Sequence, residues 1–315
     1  MTMQTSTSPY PPLAFNTTLF NNPKEIMSYL DVYMAHLYQE AEQIKQENGN
    51  LGDQCFGSGF LTYVPLGADS YRHLLLLGGM GPMAGAFGMK TCLSFLKDKY
   101  SVTLFQACFI PKRDSELDIV ASLYEALERA VSQCPSHKSI DLIVLCNSAH
   151  PYMERVLQRF YQDSLYKGRT LRFHSFKEAV ETKSSSFGKL KCIALQTNFA
   201  ANIGIYDNAK HIYSLHNIPE LSSYQKNLAL AIEGVKSFDK HATLLNALKV
   251  FHALKDYGAK RLLLGCTELP IIIEALKNEA PDDIQEYLSA ITLFDPLILT
   301  LQKFTEVKGI DAITG

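Results

Sequence analysis

From residue 72 the chain alternates continuous apolar runs with amphipathic stretches, and this alternation restricts its fold more than any other feature. "RHLLLLGG" (72–79) reads as a buried strand and "MAGAFGMKTCLSFLKDK" (83–99) as a helix. A strand at 101–110, a helix at 115–134, a strand at 140–146, a helix at 151–162 and a strand at 170–176 continue the pattern. Strands that are apolar along their whole length need cover on both faces. Separated by helices, they build a parallel sheet between helical layers. The pattern restarts with the strand "KLKCIALQT" (189–197), passes through helices at 223–238 and 241–258, and returns to a strand in "AKRLLLGC" (259–266). Gly78 and Cys146 are 68 positions apart, Thr197 and Cys266 are 69 apart, and each pair joins a strand ending in a polar loop to a later strand ending in Cys. The expectation is an α/β protein of two pseudosymmetric lobes, each a short, mainly parallel sheet flanked by helices. The first would span 71–170 plus 293–315, the second 171–292, with the site in the cleft between them.

Residues 1–70 form an N-terminal extension. Its first 20 residues are rich in Ser, Thr and Pro and are expected to be poorly ordered. A long helix should follow: Asn22 is placed to cap it, with Pro23 at its first position, Glu25 at its third and Gly49 after its end. Ile26, Leu30, Tyr33, Leu37, Ala41 and Ile44 lie on one stripe at helical spacing. Such a stripe most simply packs against the rest of the fold. A dimer contact or a cover over the site are the alternatives.

The balance of charge excludes several classes. A net charge of −2, with no basic cluster among aromatics, gives no footprint for nucleic acid. No apolar run reaches the roughly 18 residues of a membrane span, and the first 20 residues contain neither Lys nor Arg, so neither a membrane partner nor a secretory signal is expected. The seven cysteines are odd in number and contain no C-x-x-C pair. They are expected to be reduced thiols in a cytoplasmic protein.

In open parallel sheets, ligands bind beyond the carboxyl ends of the strands. Four such ends stand out, at 78–82, 146–150, 197–198 and 266–270, and facing lobes would bring Cys146 and Cys266 to one cleft. Two opposed thiols suit inversion of a carbon centre by proton transfer, one acting as base and one as acid. A thiol near its ordinary pKa of about 8.5 serves in either role. Both cysteines precede a predicted helix, whose first N–H groups are ready to hold a carboxylate. Asn147, Ser148 and Thr267 add side-chain donors. His150 and Glu268, close in sequence, are placed to bias the protonation of each thiol.

Other readings stay open. A single Cys ending a strand is commonly core. Cys146, His150 and Cys266 would offer three ligands to a metal, although Cys-x-x-x-His is a weak motif. Gly79, Gly81 and Ala84 match a variant dinucleotide fingerprint, but the second strand ends in Gln106 with no carboxylate before Asp114. A tight turn at Gly79, Met80 and Gly81 whose amides approach a carboxylate fits better. Arg113, after Lys112 in "IPKR", offers a fork for a second carboxylate.

Taken together, "GGMGP", "IPKR" (110–113), "CNSAH" (146–150) and "GCTELP" (265–270) resemble the aspartate/glutamate racemase superfamily over roughly residues 72–300. Glu268, where glutamate racemases typically carry His, resembles the aspartate or broad-specificity branch. The resemblance implies a cofactor-independent racemase of aspartate or a related acidic or polar amino acid, working as a homodimer. Cys146 and Cys266 would be its acid and base. Asn147, Ser148 and Thr267 would hold the α-carboxylate and amine and Arg113 the side-chain carboxylate, with Gly79, Met80, Gly81, Thr197, Glu268 and Lys236 around them and His150 in support. The chain departs from the family pattern at Lys112, Asp114, Ser148, Phe199 and Ala200 and in its N-terminal extension. Another dicarboxylate isomerase of the superfamily, or a non-catalytic amino-acid-binding homologue, are the alternatives.

Overall fold

Each apolar run forms a strand because its side chains find cover on both sides of a sheet. In the computed structural model, which describes residues 18–48, 59–66, 72–79, 81–96, 99–107, 110, 116–134, 139–187 and 189–306, these strands form two sheets. The first holds β1 (Thr18–Phe20), β2 (Gly59–Tyr63), β3 (Arg72–Gly78), β4 (Tyr100–Gln106), β5 (Ser139–Leu145) and β6 (Thr170–Phe173), in the order β1-β2-β4-β3-β5-β6. The second holds β7 (Cys192–Leu195), β8 (Ile212–Ser214), β9 (Arg261–Leu264) and β10 (Thr292–Phe294), in the order β10-β9-β7-β8. All pairings are parallel except β2 with β4. Leu74 to Leu77 of β3 are fully buried, as are Ile140, Leu142 and Ile143 of β5.

Helices α2 (Pro82–Leu96), α3 (Glu116–Gln133), α4 (Met153–Asp163) and α5 (Phe176–Ser184) follow successive strands of the first sheet. The sequence pattern extended β6 to residue 176, but Ser175 caps α5 there, accepting from Glu178 N. Around the second sheet lie α6 (Asn198–Asn202), α7 (Gln225–Lys236), α8 (Lys240–Asp256), α9 (Leu269–Glu279) and α10 (Asp282–Ala290). After β10, α11 (Pro296–Glu306) returns to pack on α5 and α2.

The extension is integrated into the fold. Asn22 Oδ1 accepts from Lys24 N (2.9 Å) and starts α1 (Pro23–Asn48). Ile26, Leu30, Tyr33, Leu37 and Ala41 are all buried, so the stripe is a packing face. It is shared between the lobes. Asp31 pairs with Lys90 of α2. Farther along, the Tyr38 ring meets Phe238 edge-on (5.5 Å), lies under the ammonium of Lys240 (4.8 Å) and faces Ile271 of α9 across a small hollow. Strands β1 and β2 meanwhile lengthen the first sheet on its β4 side. Among the described residues no helix is long and apolar enough to cross a membrane.

Candidate active site

Cys146 follows β5 in extended backbone (φ −161°, ψ 104°), and the chain then turns into a 3-10 helix over Asn147–Tyr152 that runs into α4. Its carbonyl accepts from Ala149 N (3.0 Å). Cys266 follows β9 through Gly265, and its carbonyl accepts from Leu269 N (3.1 Å) at the start of α9. Both sheets thus end in a similar device, a thiol between a strand and the helical turn that follows it. Gly265 permits the second copy: a Cβ there would lie 3.0 Å from the Leu195 carbonyl and 3.3 Å from the Tyr206 ring.

The two ends share one cleft. The first lobe contributes Gly79, Gly81, Cys146, Asn147 and Ser148, and the second contributes Thr197, Lys236, Cys266, Thr267 and Glu268. The free volume of this partly open cleft is about 40 Å³, room for roughly three water centres at ~10–15 Å³ each. Such a cleft admits a compact ligand. Met80 and Arg113, with Lys112 and Asp114, lie outside the described residues.

The thiols differ in setting. Cys146 is partly exposed, with its Sγ 3.5 Å from Ser148 Oγ. Cys266 is buried, and its S–H donates to Glu268 Oε2 (2.8 Å), to which Thr267 Oγ1 also donates (3.3 Å). Burial first, and the carboxylate of Glu268 second, push the Cys266 thiol well above its ordinary value. The other Glu268 oxygen reaches back across the cleft: a Cβ on Gly81 would stand 2.8 Å from Oε1. Lys236 closes α7 beside this group. The charge of Glu268 holds its ammonium above the usual lysine value, against the opposing pull of burial.

Thr197 caps α6, its Oγ1 accepting from Ala200 N (3.2 Å). Ala200 lines the cleft, while the Phe199 ring packs into the core of the first lobe. The glycine turn is held from below. Gln106 Nε2 donates to the Gly79 carbonyl, and its Oε1 fills the space where a Cβ on Gly78 (2.3 Å) or Gly85 (1.9 Å) would stand. The side chain that ends the second strand therefore serves the turn itself, which accounts for a glycine pattern without its ribose-binding carboxylate.

His150 is a correction to the sequence reading. Its Nε2 donates to Val144 O (2.9 Å), its Nδ1 accepts from Phe176 N (3.1 Å), and its ring stacks on Phe176 (4.4 Å). Burial pulls its pKa down to about 4. It is a neutral tie between β5 and α5, with both nitrogens occupied by backbone, so it neither ligates a metal with the cysteines nor charges Cys146. Among the described residues no group of three metal-ligating side chains occurs.

Two residues escaped sequence reasoning. Tyr206, between α6 and β8, donates its hydroxyl to Asn147 Oδ1 across the lobes, which leaves the Asn147 amide hydrogens free to face the cleft. Asp295, ahead of α11, accepts from Leu297 N (2.8 Å), and burial lifts its pKa to about 6. Its negative charge is felt at Tyr206. Both sit in connections, where no hydrophobic period marks a residue.

No family model matches the chain. Among solved structures, an aspartate racemase from Picrophilus torridus is 18% identical, covers 76% of this chain and 94% of its own, and superposes with a TM-score of 0.52. A glutamate racemase from Bacillus anthracis (17% identical; 78% and 84% covered) and an aspartate racemase homologue from Pyrococcus horikoshii (14%; 75% and 98%) both give 0.49. The chain thus has the fold found in an aspartate racemase.

Proposed function

We propose that the chain is a cofactor-independent racemase of a compact acidic or polar amino acid, aspartate or a near relative. The observation that carries this reading is the meeting of two thiols, one from each sheet, in a single small cleft edged by hydrogen-bond donors. The α-carboxylate is received by the Asn147 amide, the Ser148 and Thr267 hydroxyls and the N–H groups beyond each cysteine. Lys236 supplies positive charge.

Cys266 carries its proton and is the acid for one enantiomer. Cys146, as thiolate, removes the α-proton, the bonding pair stays on the α-carbon, and Cys266 protonates the opposite face. The turnover leaves Cys146 protonated and Cys266 as thiolate, the state that accepts the other enantiomer. To return to the first state Cys146 gives its proton to water and Cys266 takes one from water, and Glu268, which accepts from Cys266, is placed to relay that second proton.

Proton NMR of L-aspartate in heavy water, with chiral analysis of the same sample, tests the proposal. The α-proton signal should disappear as D-aspartate forms, and Cys146→Ser and Cys266→Ser should each abolish both. Intact α-protons across aspartate, glutamate and a panel of other amino acids would refute it.

A further inference from the structure

A hollow beside the second sheet lies at the amino ends of its strands, opposite the ends that carry Thr197 and Cys266. It measures about 480 Å³ and lies between the starts of β7 and β9 and the segment around Pro219. Its volume falls within the ~300–1,000 Å³ typical of small-molecule sites.

Sheet register fixes what lines it. Ile193 of β7 pairs with Leu262 of β9 and with Tyr213 of β8. Lys191 and Lys260, each just ahead of its strand, both line the hollow, and gathering two like charges at one opening is ordinarily unfavourable. Both are exposed, and Lys191 lies over the Tyr213 ring at 5.6 Å. Tyr213 and Tyr257 are 43% and 37% exposed in the same hollow. The one carboxylate in the lining is Glu220. Two exposed cations, the partly exposed rings of Tyr213 and Tyr257 and the apolar surface beside Ile193 select a particular chemistry: a flat ring to lie against a tyrosine and an anionic group to meet the lysines.

We propose that this hollow binds a small planar aromatic molecule carrying a carboxylate or phosphate. The proposal is independent of the catalytic reading, because none of these residues lines the cleft.

Calorimetric titration of the full chain with adenosine 5′-monophosphate and with indole-3-acetate tests it, with adenosine and inorganic phosphate as controls. At least one aromatic anion should bind more tightly than either control, and whichever binds identifies the anionic group. Lys260→Ala and Lys191→Ala should each weaken it by about tenfold, the loss of one charge-assisted contact. Tyr213→Ala should weaken it too, and Cys146→Ser should leave it unchanged. These lysines and Tyr213 are exposed, so circular dichroism should show unaltered folding. No binding of either probe at millimolar concentration overturns the proposal. Binding indifferent to the Lys260 and Tyr213 variants, or lost in Cys266→Ser, overturns it equally.

Discussion

Two positions beyond each cysteine the lobes diverge: Ser148 stands there in the first and Glu268 in the second. The carboxylate accepts the proton of Cys266, whereas the Sγ of Cys146 lies 3.5 Å from the Ser148 hydroxyl. Glu268→Gln is therefore expected to lower kcat by about 10²–10⁴, the usual worth of a proton-transfer group, while moving KM less; initial rates across substrate concentration separate the two. Tyr206→Phe should do the reverse, raising KM severalfold as the Asn147 amide loses its anchor and costing about 1 kcal/mol of stability in denaturant titration. Iodoacetamide followed by peptide mapping should label Cys146 well before Cys266, which is only 7% exposed. That both cysteines follow strand ends was legible in the sequence, because each ends an apolar run. His150 was misread because sequence proximity to a thiol says nothing about which way a ring points within a 3-10 turn. Tyr206 was invisible because its partner lies 59 residues away.

At the scale of elements, hydrophobic period decided what could be seen. β3, β4, β5, β7 and β9 are rich in buried apolar residues and stand out. β1, β2 and β10 are three to five residues long, and their pairing is non-local. The antiparallel addition of β2 beside β4 has no local mark beyond the alternation of Leu61 and Tyr63 with their neighbours. The stripe of α1 was plain, but its partners were not, because a period reports that a face is buried and not against what. Leu37 is fully buried on that face. Leu37→Ala should cost about 2–5 kcal/mol in urea unfolding, with the proposed activity per folded molecule retained.

Among the described residues, His150 and Asp295 are buried groups whose titrations act on stability in opposite directions. His150 titrates at about 4 when folded and at about 6.5 when unfolded. The stability it contributes is complete above the unfolded value and is lost as pH falls toward 4, by about 3 kcal/mol. Asp295 runs the other way: its folded pKa is raised to about 6, so its contribution is complete below the unfolded value of about 3.9 and is lost as pH rises through the folded one. It is somewhat smaller, since part of Asp295 remains open to water. The two largely offset between pH 4.5 and 6. Urea midpoints should therefore rise with pH across that window in Asp295→Asn and fall in His150→Phe, with the parent nearly flat. The shared placement of α1 bears on how the chain is made. Its contact with α2 joins residues 59 positions apart, while Tyr38 and Phe238 are separated by 200 positions. At a synthesis rate of roughly 5–20 residues per second, half of its apolar face waits on the ribosome for about 10–40 s before its partner exists. The nascent chain therefore carries an unsatisfied, sticky helix through most of its synthesis, and a chaperone that reads exposed apolar stripes has its longest opportunity there.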